Sequence, residues 1–224
     1  MAIIYFTRHA QASFGTEDYD RLSPLGRQQA RWLGEYFAAR GLKFKRVIAG
    51  TLTRQRDTAS EIVGVLGGDR ASIETHPGLN EYEAEAIFRC YTGIVDQRAS
   101  QLADFREYWK TFRAAMSAWS TDRLTGMPES WGDFGQRIAR ALAHAGEGAA
   151  RDDAILVVSS GGAIGRGVAD IIGSPAPTAI EFNLQFRNSG FCELIVGSDT
   201  KRLLSFNSIP HLEPGDRRHA ITFA

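Results

Sequence analysis

Residues 2–11 read AIIYFTRHAQ, and this stretch decides the fold. Ala2 to Thr7 is a continuous apolar run without alternation, the pattern of a strand buried on both faces. It stops abruptly at Arg8 and His9, so a permanent cation and a titratable ring stand together at the mouth of a buried strand. The helix that follows is announced by its own punctuation. In LSPLGRQQARWLGEYFAARG (22–41), Ser23 is the N-cap, Pro24 the first helical residue and Gly41 the stop. Leu25, Trp32, Leu33, Tyr36 and Phe37 then form its core-facing side.

The same alternation continues downstream. RVIA (46–49) is a short strand, followed by a helix through Thr58, Ile62, Val63 and Leu66 that ends at Gly67-Gly68. Ser72 to Thr75 is a weak strand leading to Pro77 and GLNEYE (78–83). From about Ala84 to Trp131 the rhythm breaks: the region is rich in aromatics, with one long helix over Gln101 to Trp119 and no evident strand. A helix over Asp133 to Ala149 follows, then the strand AILVVS (154–159), a Gly-rich turn and another helix. FCELIVG (191–197) and RLLSFN (202–207) are close enough to pair. Strands alternating with helices predict an α/β protein, a three-layer α/β/α sandwich around a mainly parallel sheet. The expected organisation is one domain over 1–224 with a mostly helical insertion at about 84–131.

Composition narrows the function. The chain has 224 residues, 43% hydrophobic and 23% charged, ordinary for a globular protein with a real core. Lys+Arg and Asp+Glu balance at 26 each, so no global field steers it to nucleic acid or to an anionic membrane, and neither is an expected partner. Cys90 and Cys192 lie far apart, against a disulfide framework or a zinc site and in keeping with a reducing compartment. The first apolar run is too short for the core of a signal peptide, and no run approaches the ~20 apolar residues of a membrane span. The expected location is cytoplasmic. There is no GxxxxGK[ST] loop. SGGAIGRG (160–167) does not satisfy GxGxxG, and VSSGG (158–162) lacks the first glycine of a nucleophile elbow. No cluster shows metal-ligand spacing, so neither metal nor cofactor is expected.

Ligands of open α/β sheets bind beyond the carboxyl ends of the strands. Arg8 and His9 follow the first strand, GTLTR (50–54) brings Arg54 after the second, and LNE (79–81) brings Glu81 after the third. SSGG (159–162) follows the fourth and opens a helix whose N-terminal amides favour an anion. Two guanidinium forks, a nucleophilic ring, a carboxylate and a helix N-terminus form an inventory for phosphoryl transfer.

With these motifs in hand, the chain resembles the histidine phosphatase superfamily, in its phosphoglycerate mutase-like branch. TRHAQ (7–11) matches that family's Arg-His-Gly signature with Ala10 in place of glycine. VIAGTLTRQRDTA (47–59) is similar to its second motif, with Arg54 and the Thr58-Ala59 pair. GLNEYE resembles the segment that supplies its acid, and AILVVSSGG (154–162) the strand and turn that normally end in Ser-His-Gly. FRNSGFCEL (186–194) also fits. The resemblance implies a phosphatase acting on a small phosphorylated molecule, in which His9 becomes phosphohistidine. Arg8 and Arg54 would clamp the phosphoryl group, with Ser160 and Gly161 beside it. Glu81 would protonate the leaving oxygen and then activate water. The 84–131 insertion would shape the substrate pocket.

Ala10 adds one methyl group where the backbone turns near the phosphate. Ser160 aligns with the family's second histidine and brings a hydroxyl without charge. The difference between a charged and a neutral hydrogen bond predicts that Ser160→His raises turnover roughly tenfold if the ring fits. Ser160 also suits a helix N-cap, and Glu83 and Glu85 stand close to Glu81. His76, His144, His211 and His219 read as surface or structural histidines, His211 being the one to inspect as a substitute donor. Phe105, Tyr108, Trp109, Phe112 and Trp119 recur at helical spacing, which favours packing over a ligand cage. Two other functions fit the residues: a phosphate-ligand-binding or regulatory protein of impaired turnover, and a phosphotransferase of the mutase type. The sequence leaves the oligomeric state open.

Overall fold

The structure is a computed structural model and describes residues 1–13, 20–93, 105–197 and 200–223. The opening apolar run forms β1 (Ala2–Arg8), one residue longer than the pattern predicts. Five further strands follow: β2 (Phe44–Ala49), β3 (Glu74–Thr75), β4 (Ala154–Ser159), β5 (Phe191–Val196) and β6 (Lys201–Ser208). They make one sheet of order β3-β2-β4-β1-β5-β6. Four strands, β1 to β4, are parallel; β5 runs antiparallel to β1, and β6 antiparallel to β5.

The unalternating strands are explained by what covers them. Ile4, Phe6, Ile155 and Val157 point into one apolar cluster, Tyr5, Leu156 and Val158 into a second on the opposite face. The second cluster is closed by Leu33 and Phe37 of α1 (Pro24–Ala39) and by Ala59 and Ile62 of α2 (Thr53–Val65). The first is closed by the insertion's helices α3 (Ala84–Thr92) and α4 (Phe105–Trp119), and by α5 (Trp131–Gly146), α6 (Gly161–Ile171) and α7 (Ala176–Gln185). This is the three-layer α/β/α arrangement, and each fully buried Leu, Ile or Phe in it contributes about 1.5–3 kcal/mol. Tyr5 anchors the α1 side, its ring edge-on to Phe37 at 5.4 Å and to Phe44 at 5.6 Å.

α1 carries the predicted punctuation: the Ser23 hydroxyl accepts from Gly26 N at 2.9 Å, and Gly41 turns the chain at φ +67°. α5 starts two residues before the expected Asp133, capped by Ser130, and stops at Gly146 instead of Ala149. Two helices, α3 and α7, are not announced by the sequence pattern. The predicted start of the insertion helix, Gln101, lies outside the described residues. Phe88 stacks on Tyr108 at 5.3 Å, tying α3 to α4, so these aromatics pack as helix contacts.

Candidate active site

β1 delivers Arg8 and, immediately after it, His9. The His9 Nδ1 lies 2.8 Å from the Ala10 carbonyl. A carbonyl can only accept, so Nδ1 holds the proton and Nε2 is left with its lone pair. Arg54 Nε donates to that Nε2 at 3.1 Å. Burial, then Arg54 and Arg8, push the ring's pKa well below its ordinary value, so the imidazole is neutral. A neutral, oriented ring with an unprotonated nitrogen is the state a nucleophile requires, once an incoming phosphoryl group takes over the Arg54 donor that this lone pair accepts. The loop is fixed from behind by Thr58, whose hydroxyl donates to Arg54 O at 2.7 Å and accepts from Ala10 N at 3.0 Å. That explains the Thr58 of the second motif. Ala10 is fully buried there without a left-handed backbone, so its methyl group is accommodated.

The two arginines are oriented by different means. Arg8 Nη1 donates to the Phe186 carbonyl at the end of α7. Arg54 Nη1 pairs with Asp20 Oδ1 at 2.6 Å, while Asp20 Oδ2 accepts from Thr53 N at 2.7 Å. Sequence reading missed Asp20; its only signal is the acidic run before α1.

Glu81 is partly buried after the Pro77–Leu79 turn, and its Oε2 accepts from Gly162 N at 2.9 Å at the start of α6. Burial raises its pKa; the amides of Gly162 and Tyr82 and the charges of Arg54 and Arg8 partly oppose this. A carboxyl group held above its usual range inside a cationic site suits proton delivery. Glu83 and Glu85 are exposed. A Cβ at Gly162 would collide with the Tyr82 ring and the Glu81 carboxylate, so glycine is what admits them. The Glu81 loop is braced from α5, where Arg137 donates to Gly78 O at 3.0 Å and Asn80 O at 2.7 Å, and by Asn80, which accepts from Thr51 N at 2.8 Å. Sequence reading missed Arg137.

Ser160 follows β4 and has the backbone of an N-cap, yet its side chain makes no capping bond. The expected N-cap position holds but its side-chain bond does not: Glu81 takes the Gly162 amide, and the Ser160 hydroxyl accepts from Gln55 Nε2 at 2.8 Å. Ser160 has no exposed surface, and neither has Gln55. Gln55 Nε2 also donates to Leu79 O at 3.0 Å, and its Oε1 has no hydrogen-bond partner among the described residues. Leaving such a group unsatisfied costs about 1–3 kcal/mol. Gly161 is buried against Arg8 and Asn183. Asn183 Nδ2 donates to the Tyr82 hydroxyl at 2.7 Å, and burial raises that phenol's pKa well above its ordinary value.

The remaining histidines lie elsewhere. His211 is buried, with Nε2 2.8 Å from Ser189 Oγ and its pKa lowered to about 3 by burial and by Arg217. Ser189 N donates in turn to His9 O at 3.3 Å, so His211 supports the back of the nucleophile's loop. His76 and His144 pack against each other at 5.4 Å, and His219 is exposed. Among the described residues no group of His, Cys, Asp and Glu could hold a metal ion, and no helix is long and apolar enough to cross a membrane.

A neutral histidine between two arginines, with a raised carboxyl group beside them at the carboxyl edge of a three-layer sheet, defines a phosphoryl-handling α/β protein. The family model of the histidine phosphatase superfamily (branch 1) matches residues 4–209, and the chain belongs to that family. The mitochondrial serine/threonine-protein phosphatase PGAM5 of Rattus norvegicus is 33% identical over 96 residues, covering 38% of this chain and 33% of that protein. This chain thus spans about a third of that relative's length. Several solved structures share the fold. Phosphoserine phosphatase from Entamoeba histolytica, in complex with 3-phosphoglyceric acid, has a TM-score of 0.68 at 20% identity, covering 95% of this chain and 100% of that one. A mycobacterial glucosyl-3-phosphoglycerate phosphatase with inorganic phosphate has a TM-score of 0.64 at 23% identity, covering 94% and 99%.

Proposed function

We propose that the protein is a phosphatase that hydrolyses a small phosphomonoester through a phosphohistidine on His9. The observation that carries this is the fixed tautomer of His9, its Nδ1 proton held by Ala10 O and its Nε2 facing Arg54. Nε2 attacks phosphorus, the bond from phosphorus to the ester oxygen breaks, and Glu81 gives its proton to the departing alcohol. Water then attacks the phosphohistidine, Glu81 takes back a proton, inorganic phosphate leaves and His9 is regenerated. Arg8 and Arg54 hold the equatorial oxygens, where charge develops. Asp20 keeps Arg54 aimed at the site before a substrate arrives. The scheme uses no cofactor or metal.

The test is brief incubation with labelled phosphoester. Wild type forms an acid-labile, base-stable phosphoprotein; His9→Ala forms none and loses turnover roughly 10³-fold or more, as loss of a nucleophile does. Normal turnover by His9→Ala overturns the assignment. A second reading, a phosphate-ligand-binding protein of impaired turnover, is favoured by the uncharged, fully covered Ser160. Phosphate binding by wild type without release of alcohol from an aryl phosphate supports it. Transfer to a second alcohol instead of water would mark a mutase.

A further inference from the structure

We infer that Gln55 is a positioning residue, whose buried carboxamide sets where the Glu81 segment and the Ser160 hydroxyl stand relative to Arg54. The inference rests on the reading of the site as a phosphatase centre. Gln55 directly follows Arg54 in α2, and none of its surface is exposed. Its single NH2 group donates twice, to Leu79 O at 3.0 Å and to Ser160 Oγ at 2.8 Å. Leu79 stands two residues before Glu81, and Ser160 two residues before Gly162, whose amide holds the Glu81 carboxyl at 2.9 Å. Both supports of the acid, its own chain segment and the helix start that grips it, are therefore referenced to one amide on the helix of Arg54. Leu79 O also accepts from Ser159 Oγ at 2.6 Å, which ties β4 into the same junction.

The orientation of the amide is fixed, because the Leu79 carbonyl can only accept. The other end of the amide gains nothing. Gln55 Oε1 lies so close to Gly50 that a Cβ there would collide with it, and it has no hydrogen-bond partner among the described residues. A side chain kept only to fill space would be apolar, since an apolar one of this size strands no acceptor. The amide is retained for its two donors.

The experiment compares wild type with Gln55→Leu, and with Gln55→Met as the more adaptable filler. The Glu81 carboxyl is titrated by carbon-13 NMR, its resonance assigned from the spectrum of Glu81→Gln; this readout needs no turnover. Burial holds the Glu81 pKa up. Loosening the junction admits water and brings it down toward the ordinary carboxylate value. With an aryl phosphate, kcat falls about tenfold as the acid loses its proton and its placement. KM stays within about twofold, and the alkaline limb of the pH profile moves down with the titration. Thermal midpoints stay within a few degrees of wild type, because losing two hydrogen bonds is offset by removing a stranded acceptor. An unmoved Glu81 titration in a folded variant overturns the inference, and so does a fall in kcat that only tracks the folded fraction. If wild type itself turns over no phosphoester, the phosphatase reading fails, and the titration alone decides the role of Gln55.

Discussion

Around His9 the site is cationic and its groups are delivered by the backbone: Arg8 ends its strand, Arg54 follows its strand and turn, and the ring's tautomer is set by the next residue's carbonyl, with Phe186, Thr58 and Asp20 bracing them from farther along the chain. Around Ser160 the site is neutral and held by side chains that reach across the molecule. Gln55 spans 24 residues to Leu79 and 105 to Ser160, and Asn183 spans 101 to Tyr82. The contrast separates two tasks. Charge is placed where the backbone of a parallel sheet already delivers it, while the geometry of the acid depends on tertiary contacts.

The cationic half should dominate the rate. Arg54→Met is expected to lower turnover by roughly 10²–10³-fold, the effect of removing one donor from developing charge, measured as kcat/KM on an aryl phosphate. Arg54→Lys should recover little, since an ammonium cannot donate from Nε to His9 while pairing with Asp20. A loss below tenfold for either would mean that this half is not the centre of the chemistry.

Glu81 joins the halves, and its pH dependence tests the joint. Its pKa is raised, so the protonated acid is lost as pH rises through that raised value, and the first phosphoryl transfer falls with it. Glu81→Gln should erase that alkaline limb and lower kcat by roughly 10²-fold. A limb that survives in the variant belongs to another group.

The neutral half is probed by Ser160→His. Hydrogen-bond energies alone predict a gain of roughly tenfold, but the structure gives the ring no room, because Ser160 is fully covered and Gln55 is packed on it. The single variant is expected to lose about 1–3 kcal/mol of stability through overpacking, with no gain in rate. Ser160→His with Gln55→Ala opens the volume and should exceed Gln55→Ala alone by about tenfold, the worth of one charged hydrogen bond. Equal rates for these two would show that the ring makes no such bond even with the volume open.

The smallest effect belongs to His211, behind the cationic half. Its folded pKa of about 3 lies below the ordinary 6.5, so between these values the unfolded chain binds a proton that the native state refuses. Stability from this source is present above pH 6.5 and is lost as pH falls toward 3. His211→Gln should reduce the drop in Tm between about pH 7 and pH 5 by a few degrees, with turnover at neutral pH within about twofold. An unchanged acid slope would place the acid sensitivity in other groups.

The legibility of the sequence follows the same division. AIIYFTRHAQ exposes both the buried strand and the chemistry at its end, because a doubly covered parallel strand needs an unbroken apolar run and its carboxyl end is where ligands bind. Asp20, Gln55, Asn183 and Arg137 were not legible: each is an ordinary polar residue in its local context, and only packing brings it to its partner. α3 and α7 escaped for a local reason. Glu83 provides no side-chain capping bond before α3, and at α7 a Ser-Pro pair like that of α1 is present at 174–175 but the helix starts after it, with Pro175 itself at the N-cap. Ser160 does stand at the N-cap of α6, but its side chain makes no capping bond, because the Gly162 amide is taken by the Glu81 carboxylate from another segment.

The position of β1 has a consequence for how the protein is made. Ile4 pairs with Ile155 on one side and Leu194 on the other, so the strand that leads into His9 has no neighbours in the sheet until most of the chain has been synthesised. Such long loop closures are slow, and until they occur an apolar strand with two open edges is exposed to aggregation. Activity recovered during refolding should therefore rise with the last kinetic phase, and a chain cut short before β4 should carry both arginines and the histidine and still be inert.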